Sequence, residues 1–285
     1  MAAIVVELAA LLGVDQQAVK VLGVASSNPH KFIVALPDDT QAFAKLCSSD
    51  ELERTLAAID QAPGQTLPIL STFETAASHP GHHFVLWPKM VMDGYDAVTC
   101  ELDFDTGLMR LKHCLQVLAD FHDQGLLHGD CKLENFVFDE EARPWLIDFE
   151  CLGGWSGLAP RTCLGTPAFA APECWPTRCP HLDCQRWGLT QAADVFSLVA
   201  SFLLKYSIGT PAYAAKQGRG VRDEQGRLVP NACPASCFDI MTDELFAVKG
   251  LLPEREACLS QLVLHCCSPD VDVRLSAAEA AALLA

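Results

Sequence analysis

The sequence predicts an α+β fold in which a small β-rich amino-terminal region precedes a larger helical one. Residues 20 to 47 consist of short apolar segments, rich in β-branched residues and separated by turn residues. Beyond residue 90 the apolar residues recur every three or four positions, which is the spacing of a buried helix face. We therefore expect a single bilobal domain, with an N-terminal helix over 1–19, a β-rich lobe over 20–89 and a helical lobe over 90–285.

Local signals predict the elements of the β-rich region. The first segment, "MAAIVVELAALLGV", is apolar apart from Glu7, which favours a short packing helix. The strands "VKVLGVAS", "KFIVAL" and "QAFAKLC" follow. A helix then starts at Ser49, whose side chain is of a type that caps helices, and Pro63 and Gly64 end it. The segment "HHFVLWPKM" predicts a further strand, closed by Pro88.

The helical region begins with a long amphipathic segment. Apolar residues at positions 108, 111, 115, 118 and 121 form a helical stripe that stops before Gly125. "FVF" and "PWLIDF" predict short strands on either side of the turn "DEEAR". "ADVFSLVASFLLKY" is apolar on nearly all sides and is therefore expected to be a buried helix, while "SAAEAAALLA" closes the chain as an alanine-rich helix.

The composition excludes several kinds of partner. The formal net charge is -16, so the surface repels nucleic-acid backbones and anionic membranes, and a polyphosphate site needs its own cations. No apolar run reaches the roughly 18 to 20 residues needed to span a bilayer, and no signal sequence is apparent. We expect an intracellular protein that binds neither nucleic acid nor membrane. No pattern specifies an oligomeric state.

The fourteen cysteines are scattered and do not form the compact framework of a small secreted domain. This distribution favours reduced, buried thiols in an intracellular protein. A zinc site is the alternative, with Cys179, His181 and Cys184 as one candidate group and Cys233 with Cys237 as another. Their spacings are looser than CxxC and the two groups lie far apart in the chain, which argues against zinc.

The segment "HGDCKLEN" at 128–135 carries the clearest chemistry. Asp130, Lys132 and Asn135 supply a proton acceptor, a cation and a metal ligand within six residues. Asp148 follows in "LIDFE", and its carboxylate, like the amide oxygen of Asn135, is a hard ligand suited to Mg²⁺. Together these residue types suit phosphoryl transfer, which requires aligned reactants and neutralised charge. The alternative is a polar turn between a helix and a strand.

Five motifs in this order resemble the eukaryotic-type protein kinase family. "LLHGDCKLENFVFD" resembles the catalytic loop, "LIDFE" the metal-binding turn, and "GTPAFAAPE" the end of the activation loop. "DVFSL" at 194–198 and the closing "CSPDVDVRLSAAEAAALL" are similar to helices of the large lobe. The resemblance covers residues 20 to 285 and is strongest after residue 108. It implies the kinase-like bilobal fold and the use of ATP and Mg²⁺.

The resemblance also implies a nucleotide site in the β-rich lobe. Lys45 matches the lysine that holds the α and β phosphates, and the family pairs it with a helix glutamate. Glu53 fits this role best because Leu56 and Ile59 follow it at helical intervals, and Glu51 is the alternative. The segment around Gly23 matches the glycine-rich loop. The hinge corresponds to "LWPKM", so Trp87 gates the adenine pocket, and Pro88 and Met90 border the adenine.

Four further residues match architectural positions of the family. Glu173 and Arg274 resemble the buried pair that anchors the activation segment. Asp194 resembles the acid that binds the backbone of the catalytic loop, and His128 shares that scaffolding. The threonine that matches Thr166 contacts the catalytic aspartate and lysine in serine/threonine enzymes of the family.

The sequence departs from the family at three places. Gly23 is the single glycine in "LGVASSNPH", where the family has three, and Pro29 removes a backbone N–H. Gly129 replaces an arginine that ordinarily meets a phosphate on the activation loop, which argues against control through that contact. Glu150 replaces the glycine of the metal-binding turn, where it stiffens the turn, bonds locally or adds a metal-side ligand.

The predicted function is transfer of the γ-phosphate of ATP to a serine or threonine hydroxyl of a protein substrate, with Asp130, Lys132 and Asn135 as catalytic residues and Asn135 and Asp148 as metal ligands. The degraded glycine loop and Glu150 motivate an alternative, a pseudokinase that binds nucleotide or protein without catalysis. A small-molecule kinase of related fold is a third alternative. The "APE" motif and the helix after it argue against that third reading, because they resemble enzymes with protein substrates.

Overall fold

The computed structural model describes residues 2–21, 31–36, 38, 40–75, 79–94, 104–153, 165–166, 169–174, 189–206, 253–268 and 270–284. The chain divides into two compact units, Met1–Val91 and Met92–Ala285. The described part of the first unit contains five strands and two α-helices, and that of the second is mainly helical. The predicted α+β class, with a β-rich region before a helical one, is therefore confirmed.

The first unit contains an antiparallel sheet with the strand order β1-β2-β3-β5-β4. The strands are β1 Val19–Val21, β2 Lys31–Ala35, β3 Gln41–Ser48, β4 Ser71–Glu74 and β5 His82–Pro88. The sequence did not predict β4, because its residues, "STFE", lack an apolar alternation. Its pairing with β5, which sets Ser71 opposite Leu86 and Glu74 opposite His83, makes it a strand.

The core of the first unit lies between one face of this sheet and helix α1, Ala2–Leu12. Ile4 and Leu8 of α1 are buried against it, which confirms a packing role for the apolar first segment. Side chains alternate across a strand, so the residues that face α1 are separated by residues of the opposite face. The sheet residues of this core are Val19, Phe32, Val34, Ala42, Ala44, Leu46, Phe84 and Leu86.

Helix α2, Ser49–Gln61, follows β3 without an intervening loop. Its N-cap is Ser48 rather than the predicted Ser49, since the Ser48 hydroxyl accepts a hydrogen bond from the Glu51 N–H at 3.2 Å. The helix buries Leu52, Thr55 and Ala58. The helix therefore begins at Ser49, as predicted, and its cap lies one residue earlier than expected.

The second unit contains the helices α3 Phe104–Asp123, α4 Gln191–Tyr206, α5 Pro253–Cys266 and α6 Ala277–Leu283. Its described strands, β6 Met92–Asp93, β7 Phe136–Phe138 and β8 Pro144–Leu146, form an antiparallel sheet in that order. Short 3₁₀ turns lie at Leu133–Asn135 and Pro172–Cys174.

Helix α3 forms the centre of the second unit and packs against α4, α6 and β8. The predicted apolar stripe is confirmed, since Leu111, Leu115, Leu118 and Phe121 are fully buried and Leu108 is half-buried. The predicted burial of the segment that forms α4 is also confirmed by Val195, Phe196, Leu198, Val199 and Phe202. Within the described residues, no helix combines the length and apolarity needed to cross a membrane.

Candidate active site

The backbone of the loop after α3 is held by one buried carboxylate. Asp194, in the first turn of α4, accepts hydrogen bonds from the His128 N–H at 2.8 Å and the Gly129 N–H at 2.9 Å. The His122 ring lies 3.1 Å from the same carboxylate. The predicted role of Asp194 is therefore confirmed. Charge-assisted bonds of this kind are the stronger ones in proteins, and here they fix the entry into "GDCKLEN".

His128 connects this loop to the strand that precedes Asp148. Its Nε2 donates to the Ile147 carbonyl at 2.9 Å, while its Nδ1 accepts from the Asp130 N–H at 3.3 Å. The ring centroid lies 5.4 Å from that of Phe149, which stacks on Phe121 at 6.0 Å. Phe149 is buried, so the apolar core holds the turn that carries Asp148.

Asp130, Lys132 and Thr166 form a closed hydrogen-bonded group. Lys132 Nζ donates to Asp130 Oδ2 at 2.8 Å and to the Thr166 hydroxyl at 2.6 Å. The Thr166 N–H donates to Asp130 Oδ1 at 2.6 Å. Both carboxylate oxygens of Asp130 are thus oriented by donors. The contact of Thr166 with the aspartate and the lysine is the one that the family resemblance predicted.

Asn135 and Asp148 follow Asp130 and Lys132 along the chain. The Asn135 amide nitrogen donates to the Asp130 carbonyl at 2.8 Å, which leaves its Oδ1 as the ligand atom. The Ile147 N–H donates to the Asn135 carbonyl at 3.0 Å, so the residue before Asp148 is bonded to Asn135. Asp148 has a φ of 68°, in the left-handed region. Aspartate adopts this region more readily than most non-glycine residues, and strained backbone of this kind clusters at functional sites.

Gly129, which stands at the family's arginine position, occupies a backbone conformation that suits glycine. Its φ is 82°, and a Cβ built there would lie 2.5 Å from the Cys151 carbonyl oxygen and 2.9 Å from the Cys151 Cβ. Gly153 also donates to the Leu127 carbonyl at 2.9 Å. The segment after Asp148 therefore packs directly on the loop, in space that a side chain at position 129 would fill.

Two side chains near Asp130 have shifted acidities. Burial, with the nearby charges of Asp130 and Glu150, raises the pKa of the Cys151 thiol to about 11. Burial also raises the pKa of the Glu134 carboxyl, against the opposing effect of the Lys132 charge. Both shifts reflect the low polarity around the loop, which strengthens the interactions of the charges that the loop does contain.

In the first unit, Lys45 is paired with Glu51 and not with Glu53. Lys45 Nζ lies 2.6 Å from Glu51 Oε1, and the two side chains are 5 % and 13 % exposed. Glu53 is exposed, so its predicted pairing is wrong. The buried stripe of α2 is formed by Leu52, Thr55 and Ala58, which turns position 53 away from the sheet.

The other residues predicted to contact the nucleotide are in the segment around Pro88 and in the segment around Gly23. Pro88 is the last residue of β5, and Met90 follows it, half-buried. Trp87 is half-buried and its ring lies 6.0 Å from that of Phe43. The adenine contacts of Pro88 and Met90 remain predictions. Gly23, with the rest of "LGVASSNPH", and all five candidate zinc ligands lie outside the described residues.

The predicted pair of Glu173 and Arg274 is confirmed. Arg274 donates from Nη1 to Glu173 Oε1 at 2.6 Å and from Nη2 to Oε2 at 2.8 Å. Its Nε donates to the Ser268 carbonyl at 2.6 Å, and its guanidinium lies 5.0 Å from the centre of the Phe196 ring. The pair joins the "APE" segment to the start of the closing helices.

Sequence reasoning missed two residues that position the loop. Ser201 of α4 accepts from the Leu133 N–H at 3.0 Å, and His122 of α3 bonds Asp194. A polar residue on the inner face of an otherwise apolar helix is the signal that could have found each of them. Both satisfy polar groups that would otherwise be buried without a partner.

Comparison with known proteins identifies the family to which the chain belongs. The family model described as protein kinase domain matches residues 96–283, which is more than half of the chain. The chain therefore belongs to the protein kinase domain family.

Individual relatives match shorter segments. A maternal embryonic leucine zipper kinase from Danio rerio is 42% identical over 65 residues, which is 22% of this chain and 10% of that protein. The cytokinesis protein sepH from Emericella nidulans is 30% identical over 130 residues, which is 44% of this chain and 9% of that protein. The hormonally up-regulated neu tumor-associated kinase from Homo sapiens is 37% identical over 68 residues, which is 22% of this chain and 9% of that protein. The matched segments span about a tenth of these relatives.

Proposed function

We propose that this protein transfers the γ-phosphate of ATP to serine or threonine hydroxyls of protein substrates. The observation that carries this proposal is the group of Asp130, Lys132 and Thr166 in the second unit. Asp130 and Lys132 are about one fifth exposed, at 22% and 20%, so both are accessible to a substrate. The contact of Lys132 with the Thr166 hydroxyl supports serine and threonine as acceptors.

Each residue of the group has a defined task. Asp130 has its two oxygens fixed by donors, so it can orient an acceptor hydroxyl and receive its proton. Lys132 carries the positive charge that stabilises the transferring phosphoryl group as negative charge develops. Lys45, held by Glu51, supplies a cation for the α and β phosphates, as the family resemblance implies.

The residues present also fit Mg²⁺. The Asp148 carboxylate and the Asn135 Oδ1 are hard oxygen donors, and the Asn135 nitrogen is already engaged with the Asp130 carbonyl. Mg²⁺ supplies charge neutralisation for the nucleotide phosphates when it is bound. The residues of this chain contribute the orientation of those ligands, which the αL backbone of Asp148 and the buried Phe149 maintain.

Incubation of the purified protein with labelled ATP, Mg²⁺ and a panel of generic protein substrates tests the proposal. We expect label on serine and threonine after acid hydrolysis, and none in a reaction without Mg²⁺. A protein that binds ATP but never transfers phosphate, with either Mg²⁺ or Mn²⁺, would be a binding module instead. Glu150, at the family's glycine position, is the observation that favours this second function.

A further inference from the structure

The corner between β3 and α2 is unusually tight and is tied to the neighbouring hairpin. Strand β3 ends at Ser48 and α2 begins at the next residue. The Ser49 N–H and hydroxyl both donate to the Gly81 carbonyl, at 3.2 and 3.0 Å. The Ser49 hydroxyl oxygen also lies 3.1 Å from His83 Nε2. We call these three bonds the Ser49 latch.

The direction of each bond in the latch follows from its partners. The Gly81 carbonyl can only accept, so it takes the hydroxyl proton of Ser49. The Ser49 oxygen must then accept from His83, which therefore carries a proton on Nε2. Since His83 lies on β5 opposite Cys47 of β3, the latch fixes the first residue of α2 to the strand beside the one it leaves.

The latch lies directly upstream of the glutamate that holds Lys45. Glu51 is two residues beyond Ser49, and its N–H is capped by the Ser48 hydroxyl at 3.2 Å. The Glu51 carboxylate reaches Lys45 at 2.6 Å with both side chains largely buried. Each residue turns the side-chain direction by about 100° around the helix axis. A helix that started at another residue would therefore point the Glu51 side chain away from β3.

We propose that Ser49 and His83 are positioning residues for nucleotide binding, which act by holding Glu51 on Lys45. All the residues involved belong to the first unit, so the latch and the ion pair lie within one compact part of the chain. This inference rests on the proposed function, because it assigns Lys45 to the nucleotide. It extends that function by naming two residues outside the ion pair that orient α2.

Two pairs of variants test the latch. Ser49→Ala removes the hydroxyl and Ser49→Thr retains it, while His83→Leu removes the donor and His83→Gln retains an N–H at a similar reach. Ser71→Ala, on exposed β4, and His82→Leu, at the adjacent position of β5, are the matched controls. The readouts are ATP affinity in Mg²⁺ by direct titration and hydrogen exchange of the amides in residues 49–54.

We expect Ser49→Ala and His83→Leu each to weaken ATP binding roughly 2- to 10-fold, which corresponds to the loss of one or two hydrogen bonds. Both variants should also speed amide hydrogen exchange in the first turn of α2. Ser49→Thr, His83→Gln and the controls should stay near the wild type. Unchanged exchange in Ser49→Ala would overturn the latch. If the wild type binds no ATP, the proposed function fails, and the exchange data alone then decide whether the latch exists.

Discussion

At the scale of single residues, the site is defined by how completely Asp130 is oriented. One of its oxygens accepts from the Thr166 N–H and the other from Lys132, while its carbonyl accepts from Asn135. A carboxylate with this many fixed donors has little freedom to rotate. In the proposed reaction, such preorganisation lowers the cost of aligning the acceptor hydroxyl.

Asp130→Asn should preserve ATP binding and reduce phosphoryl transfer by about 100- to 10,000-fold, the usual contribution of proton handling by a side chain. Asparagine is close in shape, so folding should survive. Single-turnover phosphorylation measures the effect. Lys132→Ala is the companion variant, and it should lower the rate more than the nucleotide affinity because its charge matters most during transfer. Transfer at the wild-type rate in both variants would contradict the assignment.

Asp148→Asn should remove the Mg²⁺ dependence of nucleotide binding while leaving the fold intact. The change deletes the negative charge from a ligand that Mg²⁺ requires, and asparagine also tolerates the left-handed backbone observed there, with a φ of 68°. Titration of ATP with and without Mg²⁺ measures this. An unchanged Mg²⁺ enhancement in the variant would show that Asp148 does not bind the metal.

Cys151 should react slowly with alkylating reagents despite its partial exposure. Its pKa of about 11 means that the thiol is protonated at neutral pH. The thiolate fraction at pH 8 is then about 100-fold below that of an ordinary thiol. Reaction with iodoacetamide, followed by mass spectrometry of the peptide, should accelerate tenfold for each pH unit up to about 10. A rate that levels off between pH 8 and 9 would contradict the raised pKa.

At the scale of elements, the "APE" segment is joined to the closing helices by Glu173 and Arg274. Both carboxylate oxygens of Glu173 are bonded, and the two side chains are 3% and 0% exposed. The pair therefore keeps two elements that are distant in sequence in one packed arrangement. Removing one partner of such a pair leaves an uncompensated buried charge.

Glu173→Ala should lower the free energy of unfolding of the second unit by roughly 3 to 5 kcal/mol. Denaturant titration followed by circular dichroism measures the loss. Ser276→Ala is a useful reference, because it removes the exposed N-cap of α6 and should cost only about 1 kcal/mol. Equal midpoints for the two variants would mean that the buried pair contributes no more than a helix cap.

At the scale of the whole molecule, the acidic composition should bias the choice of substrate. A formal net charge of -16 attracts cationic peptides over distances of about 10 Å at moderate salt. We expect kcat/KM for a serine peptide flanked by lysine or arginine to fall as ionic strength rises. A matched peptide flanked by glutamate should show the opposite trend. The same salt response for both peptides would show that the overall charge does not steer the substrate.

Much of the second unit is predictable from sequence. The stripe at positions 108 to 121 predicts the buried face of α3 because helical periodicity is local. Asp130, Lys132 and Asn135 lie within six residues, so a short loop brings them together whatever surrounds it. Two long-range contacts are not predictable from local patterns. Asp194 contacts the loop across 65 residues and Glu173 contacts Arg274 across 101 residues, and only the family resemblance predicted them.

The sequence by itself thus determined the fold class, the order of the motifs and the residue types in the loop after α3. The tertiary structure decided which glutamate holds Lys45. Positions 51 and 53 differ by about 200° around a helix, so the choice depends on the residue at which α2 starts. Bonds from the β4–β5 hairpin to Ser49 hold that start in place, and Ser48 caps it. A contact between segments more than thirty residues apart cannot be predicted from the local sequence pattern of either segment.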